Sequence, residues 1–297
     1  MVGESGSGKS TLAQALLGLL PGATVTGTVV LGEQSVLDLA PSELRALRGS
    51  AAAIVFQDAF AALNPLHRVG NQVSEAIRTH QPQVTKRDGR SRSVELLRSV
   101  GIADPGVRAH QYPHELSGGM RQRAAIAMAI ANNPDVLIAD EATTALDSTT
   151  QAQILELLEA SRARTNAAMM LITHDFGIVA ANADRVLVLY AGRAVEIGRV
   201  TDVMRSPIHP YTRGLLGSIP RHGRRGRRLT RVIGSPPQPS AVPSGCPFHP
   251  RCPIAEVPGQ CSSVSPVLRH IVGTEQWAAC HLAERIVAGG EQTPATT

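Results

Sequence analysis

A glycine-rich stretch at the start of the chain constrains the fold more than any other feature of the sequence. It reads Gly3-Glu4-Ser5-Gly6-Ser7-Gly8-Lys9-Ser10 and fits the pattern G-x-x-x-x-G-K-[ST]. Its glycines let the backbone wind tightly with N–H groups turned inward, and the apolar helix that follows points its positive end at the same spot. Lys9 adds a charge for the terminal phosphates of a nucleotide, and Ser10 supplies a hydroxyl for Mg²⁺. The stretch predicts a phosphate-binding loop (P-loop) between a strand and a helix.

A P-loop normally follows a buried strand that holds it in a sheet. Here only Met1 and Val2 precede it. We therefore expect the anchoring strand to be missing or reduced to a stub, which would leave an edge of the sheet unpaired.

Strand-like and helix-like patterns alternate along the first two thirds of the chain. Strands are predicted at residues 28–31, 52–56, 136–139 and 169–172, helices at 12–20, 117–132 and 149–164, and a hairpin over 185–197 that turns at Ala191-Gly192. This alternation indicates an α/β fold with a mainly parallel sheet. The polar, helical stretch over residues 58–124 predicts an inserted helical subdomain.

Charge and length divide the chain near residue 198. Of the 297 residues, 1–198 carry 17 Lys+Arg and 19 Asp+Glu, whereas 199–297 carry 12 and 5. We predict a domain over 1–198 and a basic, largely irregular extension over 199–297, which holds all four cysteines and a disordered tail from Gly289. No apolar run approaches the roughly 18 residues of a spanning helix, and no leader peptide is recognisable, so we expect a cytosolic chain.

Two further motifs predict nucleotide chemistry. Ser117-Gly118-Gly119 opens a helix and forms a second anion site, which suggests a nucleotide held between two subunits. Asp140 and Glu141 follow an apolar strand, where carboxylates usually face a ligand. Asp140 is placed to hold Mg²⁺, and Glu141 to polarise an attacking water.

With these motifs in order, residues 1–198 resemble the ATP-binding subunits of ABC transporters. Three further pieces fit: Gln57 after a strand (the Q-loop), Ala145-Leu146-Asp147 (the D-loop) and Ile172-Thr173-His174-Asp175 with a switch histidine. The resemblance implies a P-loop NTPase (RecA-like) core that binds ATP and Mg²⁺.

The resemblance also implies the roles of individual residues. Gln57 would contact Mg²⁺ and the water and sense the membrane subunit, and His174 would stabilise the terminal phosphate beside the catalytic Glu141. The implied ATP-binding residues are Gly3, Glu4, Ser5, Gly6, Ser7, Gly8, Lys9, Ser10, Thr11 and Gln57. The implied Mg²⁺ ligands are Ser10, Gln57 and Asp140. The implied signature residues, which would contact the ATP of a partner, are Ser117, Gly118, Gly119 and Gln122.

Four short segments narrow the resemblance to the oligopeptide/dipeptide group of importers, whose relatives include nickel importers. They are Phe56-Gln57-Asp58, Ala62-Leu63-Asn64-Pro65, Tyr112-Pro113-His114-Glu115-Leu116 and Pro207-Ile208-His209-Pro210-Tyr211-Thr212. The implied function is ATP hydrolysis that drives peptide import at the cytoplasmic face of the cell membrane. The implied partners are a second ATP-binding subunit, the same or different, two transmembrane permease subunits and, indirectly, a substrate-binding protein; no nucleic acid is expected.

Two departures from the family pattern leave alternatives open. The residue after Glu141 is Ala142 where the family usually has Pro, a change that would loosen this turn. Family members carry about forty more residues before the P-loop, including an adenine-stacking aromatic, judged by the resemblance and by the strand that a P-loop needs. The alternatives are a truncated, non-hydrolysing partner subunit and a soluble ABC ATPase outside transport.

The extension adds a cysteine set and an arginine run. The cysteines are Cys246, Cys252, Cys261 and Cys280, flanked by prolines that favour rigid turns. The resemblance implies a [4Fe–4S] cluster, with zinc, free thiols or a disulfide as alternatives. The arginines are Arg221, Arg224, Arg225, Arg227, Arg228 and Arg231, which we interpret as a solvated linker rather than a lipid or nucleic-acid surface.

Overall fold

The computed structural model describes residues 1–143, 147–218 and 232–289, and it forms two compact units. The first unit comprises Met1–Lys9 and Thr173–Thr297, and the second comprises Ser10–Ile172. The domain boundary predicted near residue 198 stays a prediction. The arginine run at 221–231 and the tail from 290 lie outside the described residues. Within the described ranges, no helix has the length and apolar character needed to cross a membrane.

Helices and short strands alternate along both units. The strands are β1 (Val30–Leu31), β2 (Gln34–Ser35), β3 (Ala52–Val55), β4 (Val136–Asp140), β5 (Ala168–Ile172), β6 (Arg185–Tyr190), β7 (Arg193–Arg199), β8 (Arg269–His270) and β9 (Trp277–Ala278). The helices are α1 (Lys9–Leu16), α2 (Pro41–Leu47), α3 (Ala59–Ala62), α4 (Val69–His80), α5 (Lys86–Ser99), α6 (Pro105–Arg108), α7 (Gly118–Ala129), α8 (Ser148–Thr165), α9 (Phe176–Asn182), α10 (Val200–Arg205), α11 (Pro210–Gly217), α12 (Gln260–Ser263) and α13 (Ala283–Ala288).

The second unit is built on a parallel sheet in the order β3-β4-β5. The strands β3 and β5 are apolar throughout, and β4 is apolar up to Asp140 and buried over its last four residues. The chain between β3 and β4 forms α3 to α7, and α8 connects β4 to β5. The predicted α/β class is therefore confirmed, and helices lie where the insertion over residues 58–124 is predicted.

Several predicted boundaries differ from the observed ones for a local reason. The first helix ends at Leu16 rather than at residue 20, and Gly18 adopts a left-handed φ of 61° that stops it. The strand predicted at 28–31 is reduced to Val30–Leu31, which pairs only with the next short strand. Ser117 caps α7 as predicted, because its hydroxyl accepts a hydrogen bond from the Met120 N–H.

In the first unit, Val2 lies directly before the P-loop and pairs with two neighbouring segments. Val2 is fully buried and bridges in parallel to both Thr173 and Val188. Its N–H donates to the Leu187 carbonyl at 2.9 Å, and its own carbonyl accepts from Leu189 N at 2.8 Å. Val2 therefore has hydrogen-bonded neighbours on both sides.

The sheet of the first unit has the order β6-β7-β9-β8 and is antiparallel. The predicted hairpin is confirmed, and its turn residues Ala191 and Gly192 have φ values of 47° and 77°. Positive φ at both central residues matches the twist of the flanking strands. The C-terminal extension contributes β8 and β9, so part of it forms regular structure.

Glu196 in β7 is a fully buried acid in this sheet. Its carboxylate accepts hydrogen bonds from the backbone N–H of Ile208 at 2.7 Å and of His209 at 3.0 Å. Burial nevertheless dominates and raises the pKa of Glu196 to about 7. His209, whose pKa burial lowers to about 3, lies beside it as a neutral ring.

This raised pKa predicts that the first unit loses stability as the pH rises. A raised pKa contributes stability that is fully present below the unfolded-state value, 4.5, and is lost as the pH rises through about 7. Between pH 5 and pH 8, we expect the free energy of unfolding of the wild type to fall by about 2 kcal/mol more than that of Glu196→Gln. Urea unfolding followed by the fluorescence of Trp277, the single tryptophan, measures this because Trp277 pairs with Ile197, the next residue in β7. The exposed Glu275→Gln is the control; an unchanged pH profile in E196Q would contradict the assignment.

Candidate functional site

The P-loop in the first unit is shaped by close backbone contacts. A Cβ at Gly3 would lie 2.3 Å from the Leu189 carbonyl oxygen, so only glycine fits there. Gly6 and Gly8 have φ values of 77° and 95°, in the left-handed region that favours glycine. The backbone winds as the G-x-x-x-x-G-K-[ST] pattern predicts.

Lys9 closes this loop with its own side chain. It is 4% exposed, and its Nζ donates to the carbonyl oxygens of Gly3 at 3.0 Å and Glu4 at 3.1 Å. Ser7 is also tied into the loop, since its N–H donates to the Glu4 carbonyl at 3.2 Å. The lysine ammonium is thus held over the loop whose N–H groups form the predicted anion site.

His174 lies next to the start of the P-loop in the same unit. Thr173 N donates to the Met1 carbonyl at 3.1 Å, so the residues just before Gly3 lie beside the residue just before His174. His174 is exposed, and the Asp175 carboxylate after it caps α9 by accepting from Gly177 N at 2.6 Å. The predicted switch histidine therefore directly follows a residue that is hydrogen-bonded to the segment before the P-loop.

In the second unit, the hydroxyl of Ser10 donates to Asp140 Oδ1 at 3.0 Å. Asp140 is the last residue of β4 and is 3% exposed. A hydroxyl and a carboxylate are ligands that Mg²⁺ takes at nucleotide sites. Two of the three predicted metal ligands, Ser10 and Asp140, are therefore in contact and have the right chemistry. The neighbouring Thr11 is exposed at the start of α1.

Glu141 and Gln57 form the second contact between separate motifs in this unit. Gln57 Nε2 donates to Glu141 Oε2 at 3.2 Å. Glu141 has a φ of 45°, unusual for a residue other than glycine, and its N–H donates to the Ile172 carbonyl at 3.0 Å. The turn after β4 is thus fixed to the end of β5, with the carboxylate beside Gln57.

The signature residues lie at the start of α7. Ser117 and Gly118 are exposed, and Gly119 is partly so. Gln122, by contrast, is 4% exposed, and its Nε2 is buried without a hydrogen-bond partner among the residues that the structure describes. The exposed helix start suits the predicted anion site, whereas the role of Gln122 in it stays a prediction.

The D-loop is described only at its last residue. Asp147 caps α8, and its hydrogen bonds with the backbone and side chain of Thr150 lower its pKa. Ala145 and Leu146 lie outside the described residues.

The four cysteines line one cavity in the first unit, together with His209 and Phe248. All are free thiols, and burial raises the pKa of Cys252 to about 11 and that of Cys280 to about 12. Across the described ranges, no group of three or more His, Cys, Asp or Glu side chains is arranged to hold a metal ion. The described residues therefore give no support to the iron–sulfur cluster that the resemblance implied, or to zinc as its alternative.

Two residues at the P-loop were not predicted as site residues. Tyr211 and Arg251 both bind Glu4, by hydrogen bonds to its backbone and to its carboxylate. Tyr211 belongs to the His-Pro-Tyr-Thr segment, which in the sequence serves only to narrow the family resemblance. Arg251 stands outside every recognised motif, and no local pattern could have identified it.

Comparison with known proteins agrees with this arrangement. The family model described as ABC transporter matches residues 1–144, and the model described as oligopeptide/dipeptide transporter, C-terminal region, matches residues 195–261. Two solved structures, of a dimeric bacterial ABC transporter cassette and of a dimeric post-hydrolysis state with ADP and Pi, each superpose with a TM-score of 0.60 at 30% identity, covering 67% of this chain and 83% of theirs. The predicted P-loop NTPase core is confirmed.

The relatives by sequence are ATP-binding proteins of peptide transport. The chain is 52% identical to the oligopeptide transport ATP-binding protein OppD of Mycobacterium tuberculosis over 288 residues, 96% of this chain and 47% of that protein. It is 50% identical to the dipeptide transport ATP-binding protein DppD of Bacillus subtilis over 256 residues, 85% of this chain and 76% of that protein. The chain thus spans about half the length of the mycobacterial relatives and about three quarters of the Bacillus one. It belongs to the family of ATP-binding subunits of ABC transporters, in the group that carries the oligopeptide/dipeptide C-terminal region.

Proposed function

We propose that this chain is the ATP-binding and ATP-hydrolysing subunit of an ABC importer for di- or oligopeptides. The names of its relatives and the match of its C-terminal region to the peptide-transporter model support this proposal. The chain would act at the cytoplasmic face of the membrane, as a peripheral subunit.

One observation carries the proposal. The second unit joins motifs far apart in sequence into two hydrogen-bonded pairs, Ser10 with Asp140 at 3.0 Å and Gln57 with Glu141 at 3.2 Å. Asp140 and Glu141 are consecutive, so these pairs meet where β4 ends. A hydroxyl, two carboxylates and an amide at one strand end are the groups that nucleotide hydrolysis requires.

These four residues and Lys9 of the P-loop would each have a separate task. Lys9 would bind the terminal phosphates by its charge, and Ser10 and Asp140 would hold Mg²⁺, which offsets the charge that develops on the phosphate oxygens. Glu141 would accept the proton of the attacking water as the bond to the terminal phosphorus forms and the bond to ADP breaks. Gln57 would orient Glu141 and the water.

The proposal requires a second ATP-binding subunit, identical or different. Ser117 and the glycines after it are exposed at the start of α7, where backbone N–H groups favour an anion. We propose that they bind the ATP held on the P-loop of that partner. Two permease subunits and a substrate-binding protein would complete the importer, and the choice of peptide would be made there.

The test is phosphate release by the purified chain, paired with uptake of a labelled tripeptide by source cells that carry Glu141→Gln. Hydrolysis and loss of uptake together support the proposal. ATP binding without hydrolysis would favour a non-hydrolysing partner subunit. Hydrolysis with unchanged uptake would favour an ABC ATPase outside peptide transport.

The Ser10–Asp140 pair makes a prediction about magnesium. We expect Asp140→Asn to raise the Mg²⁺ concentration for half-maximal hydrolysis by about tenfold, since one carboxylate charge near the ion is lost. A magnesium titration at saturating ATP measures it. Asp135→Asn is the matched control, because Asp135 is exposed just before the opposite end of β4. An equal magnesium requirement in D140N and D135N would refute the assignment.

A further inference from the structure

The P-loop is held from outside by two side chains more than 200 positions further along the chain. The guanidinium of Arg251 donates to both carboxylate oxygens of Glu4, from Nη1 at 2.7 Å and from Nη2 at 3.0 Å. The Glu4 N–H donates to the hydroxyl of Tyr211 at 2.8 Å. Both the side chain and the backbone of this loop residue are therefore fixed by the C-terminal extension.

Arg251 is itself held rigidly. Its side chain is 6% exposed, and it also donates to the carbonyl oxygens of Ile233 and Gly234, each at 3.0 Å. Its Nη1 lies 3.3 Å from the Tyr190 hydroxyl, and its guanidinium lies 5.7 Å from the centroid of that ring. A bidentate pair in such a buried, multiply bonded setting is stronger and more directional than a surface ion pair.

Tyr211 is equally well fixed. Its ring packs against Tyr190 at 4.6 Å and Phe248 at 5.4 Å between centroids, and it is fully buried. Aromatic pairs of this kind have preferred geometries and so fix the orientation of a buried ring. The hydroxyl is thus a stationary acceptor for the Glu4 N–H.

Glu4 is the residue through which this restraint reaches the phosphate-binding lysine. Its carbonyl oxygen accepts from Lys9 Nζ at 3.1 Å and from Ser7 N at 3.2 Å. A shift of Glu4 would therefore move two hydrogen-bond partners within the loop. The position of the loop N–H groups decides how well they cradle a phosphate.

Arg251 also connects the loop to the cysteine-lined cavity. It ends the turn His249–Arg251, directly before Cys252. The turn is closed by His249 N donating to the Cys246 carbonyl at 2.9 Å and Cys252 N donating to the His249 carbonyl at 3.2 Å. The segment that carries two of the cavity thiols is thus the segment that places the guanidinium on Glu4.

We propose that Arg251 is a positioning residue for the P-loop, acting with Tyr211 on Glu4, and that the C-terminal extension thereby sets the ATP affinity of this subunit. The statement about ATP affinity rests on the function proposed above; the statement about the loop does not. The extension is in this view a structural part of the nucleotide site.

The test compares Arg251→Ala with Arg269→Ala. Arg269 also makes a bidentate ion pair, with Glu284, but this pair is exposed on the surface and involves no residue of the P-loop. We expect R251A to speed hydrogen–deuterium exchange in the peptide covering residues 1–11 by about tenfold without nucleotide, as its restraints are lost, and R269A to leave it unchanged. We expect the Kd for ATP to rise about tenfold in R251A, with a larger effect on KM than on kcat.

Milder variants keep the test decisive if R251A folds poorly. Glu4→Gln removes the charge of the partly exposed carboxylate. Arg251→Lys keeps the positive charge but cannot donate to both carboxylate oxygens in the bidentate geometry of a guanidinium. We expect E4Q to reproduce the faster exchange, R251K to fall between R251A and the wild type, and the double variant E4Q/R251A to match R251A, since the two side chains act as one pair.

The outcomes separate the two proposals. Unchanged exchange of residues 1–11 in E4Q and R251A would overturn the positioning role, whatever the ATPase does. Lower thermal stability with unchanged exchange and unchanged ATP affinity would also overturn it, because Arg251 would then serve folding alone. A wild-type chain that binds no ATP would refute the proposed function, and the exchange measurement would still decide on Arg251.

Discussion

Glu141→Gln is expected to slow ATP hydrolysis by about a thousandfold while ATP stays bound, the range that loss of a general base produces. The substitution keeps the size and shape of the side chain and removes its capacity to take a proton. The amide can still contact Gln57, which lies 3.2 Å from the carboxylate. The turn that places residue 141 is held by a backbone hydrogen bond to Ile172, which the substitution does not touch.

Single-turnover hydrolysis and filter binding of labelled ATP measure the two halves of this expectation. Glu156→Gln is the matched control, since Glu156 is exposed on α8 of the same unit. Hydrolysis in E141Q at the rate of E156Q would remove Glu141 from its role as base. Loss of ATP binding together with hydrolysis would show instead that the carboxylate contributes to the shape of the site.

The parts of the fold that sequence predicted are those governed by local chemistry. Ser117 caps α7 because a hydroxyl before two glycines satisfies a free N–H of the first turn. Ala191-Gly192 turns the β6–β7 hairpin because both residues adopt positive φ. Asp140 and Glu141 were predicted to face a ligand because they end an apolar strand, and the contacts with Ser10 and Gln57 follow from that position.

The parts that sequence could not predict depend on contacts between distant segments. Val2 forms bridges to Thr173 and Val188, but a single residue has no periodicity that indicates which segments lie beside it. Arg251 and Glu4 are 247 positions apart, and neither an arginine in a proline-rich segment nor a glutamate within a P-loop indicates its partner. The strands β8 and β9 have two residues each, too short for an alternating pattern; β9 pairs with the edge of β7, and β8 pairs with β9.

The second large effect is expected at Lys9. We expect Lys9→Ala to weaken ATP binding by about a hundredfold, because a charge-assisted contact to the phosphates is lost and nothing replaces it. The Nζ is held by the carbonyl oxygens of Gly3 and Glu4, so the wild-type charge is already in place before ATP arrives. Because it is preorganised, we expect Lys9 to contribute more to the free energy of ATP binding than an exposed lysine would.

The chain supplies an unusually clean control for this experiment, since Lys86 is its single other lysine. Lys86 is exposed at the first position of α5, so Lys86→Ala removes the same charge without touching the loop. Equilibrium binding of a fluorescent ATP analogue to both variants isolates the effect of position from that of net charge. Equal affinities in K9A and K86A would mean that the loop does not bind phosphate. If K9A alone loses affinity and Lys9→Arg restores only part of it, the placement of the ammonium matters as well as its charge, because the broader guanidinium cannot sit between the same two carbonyl oxygens.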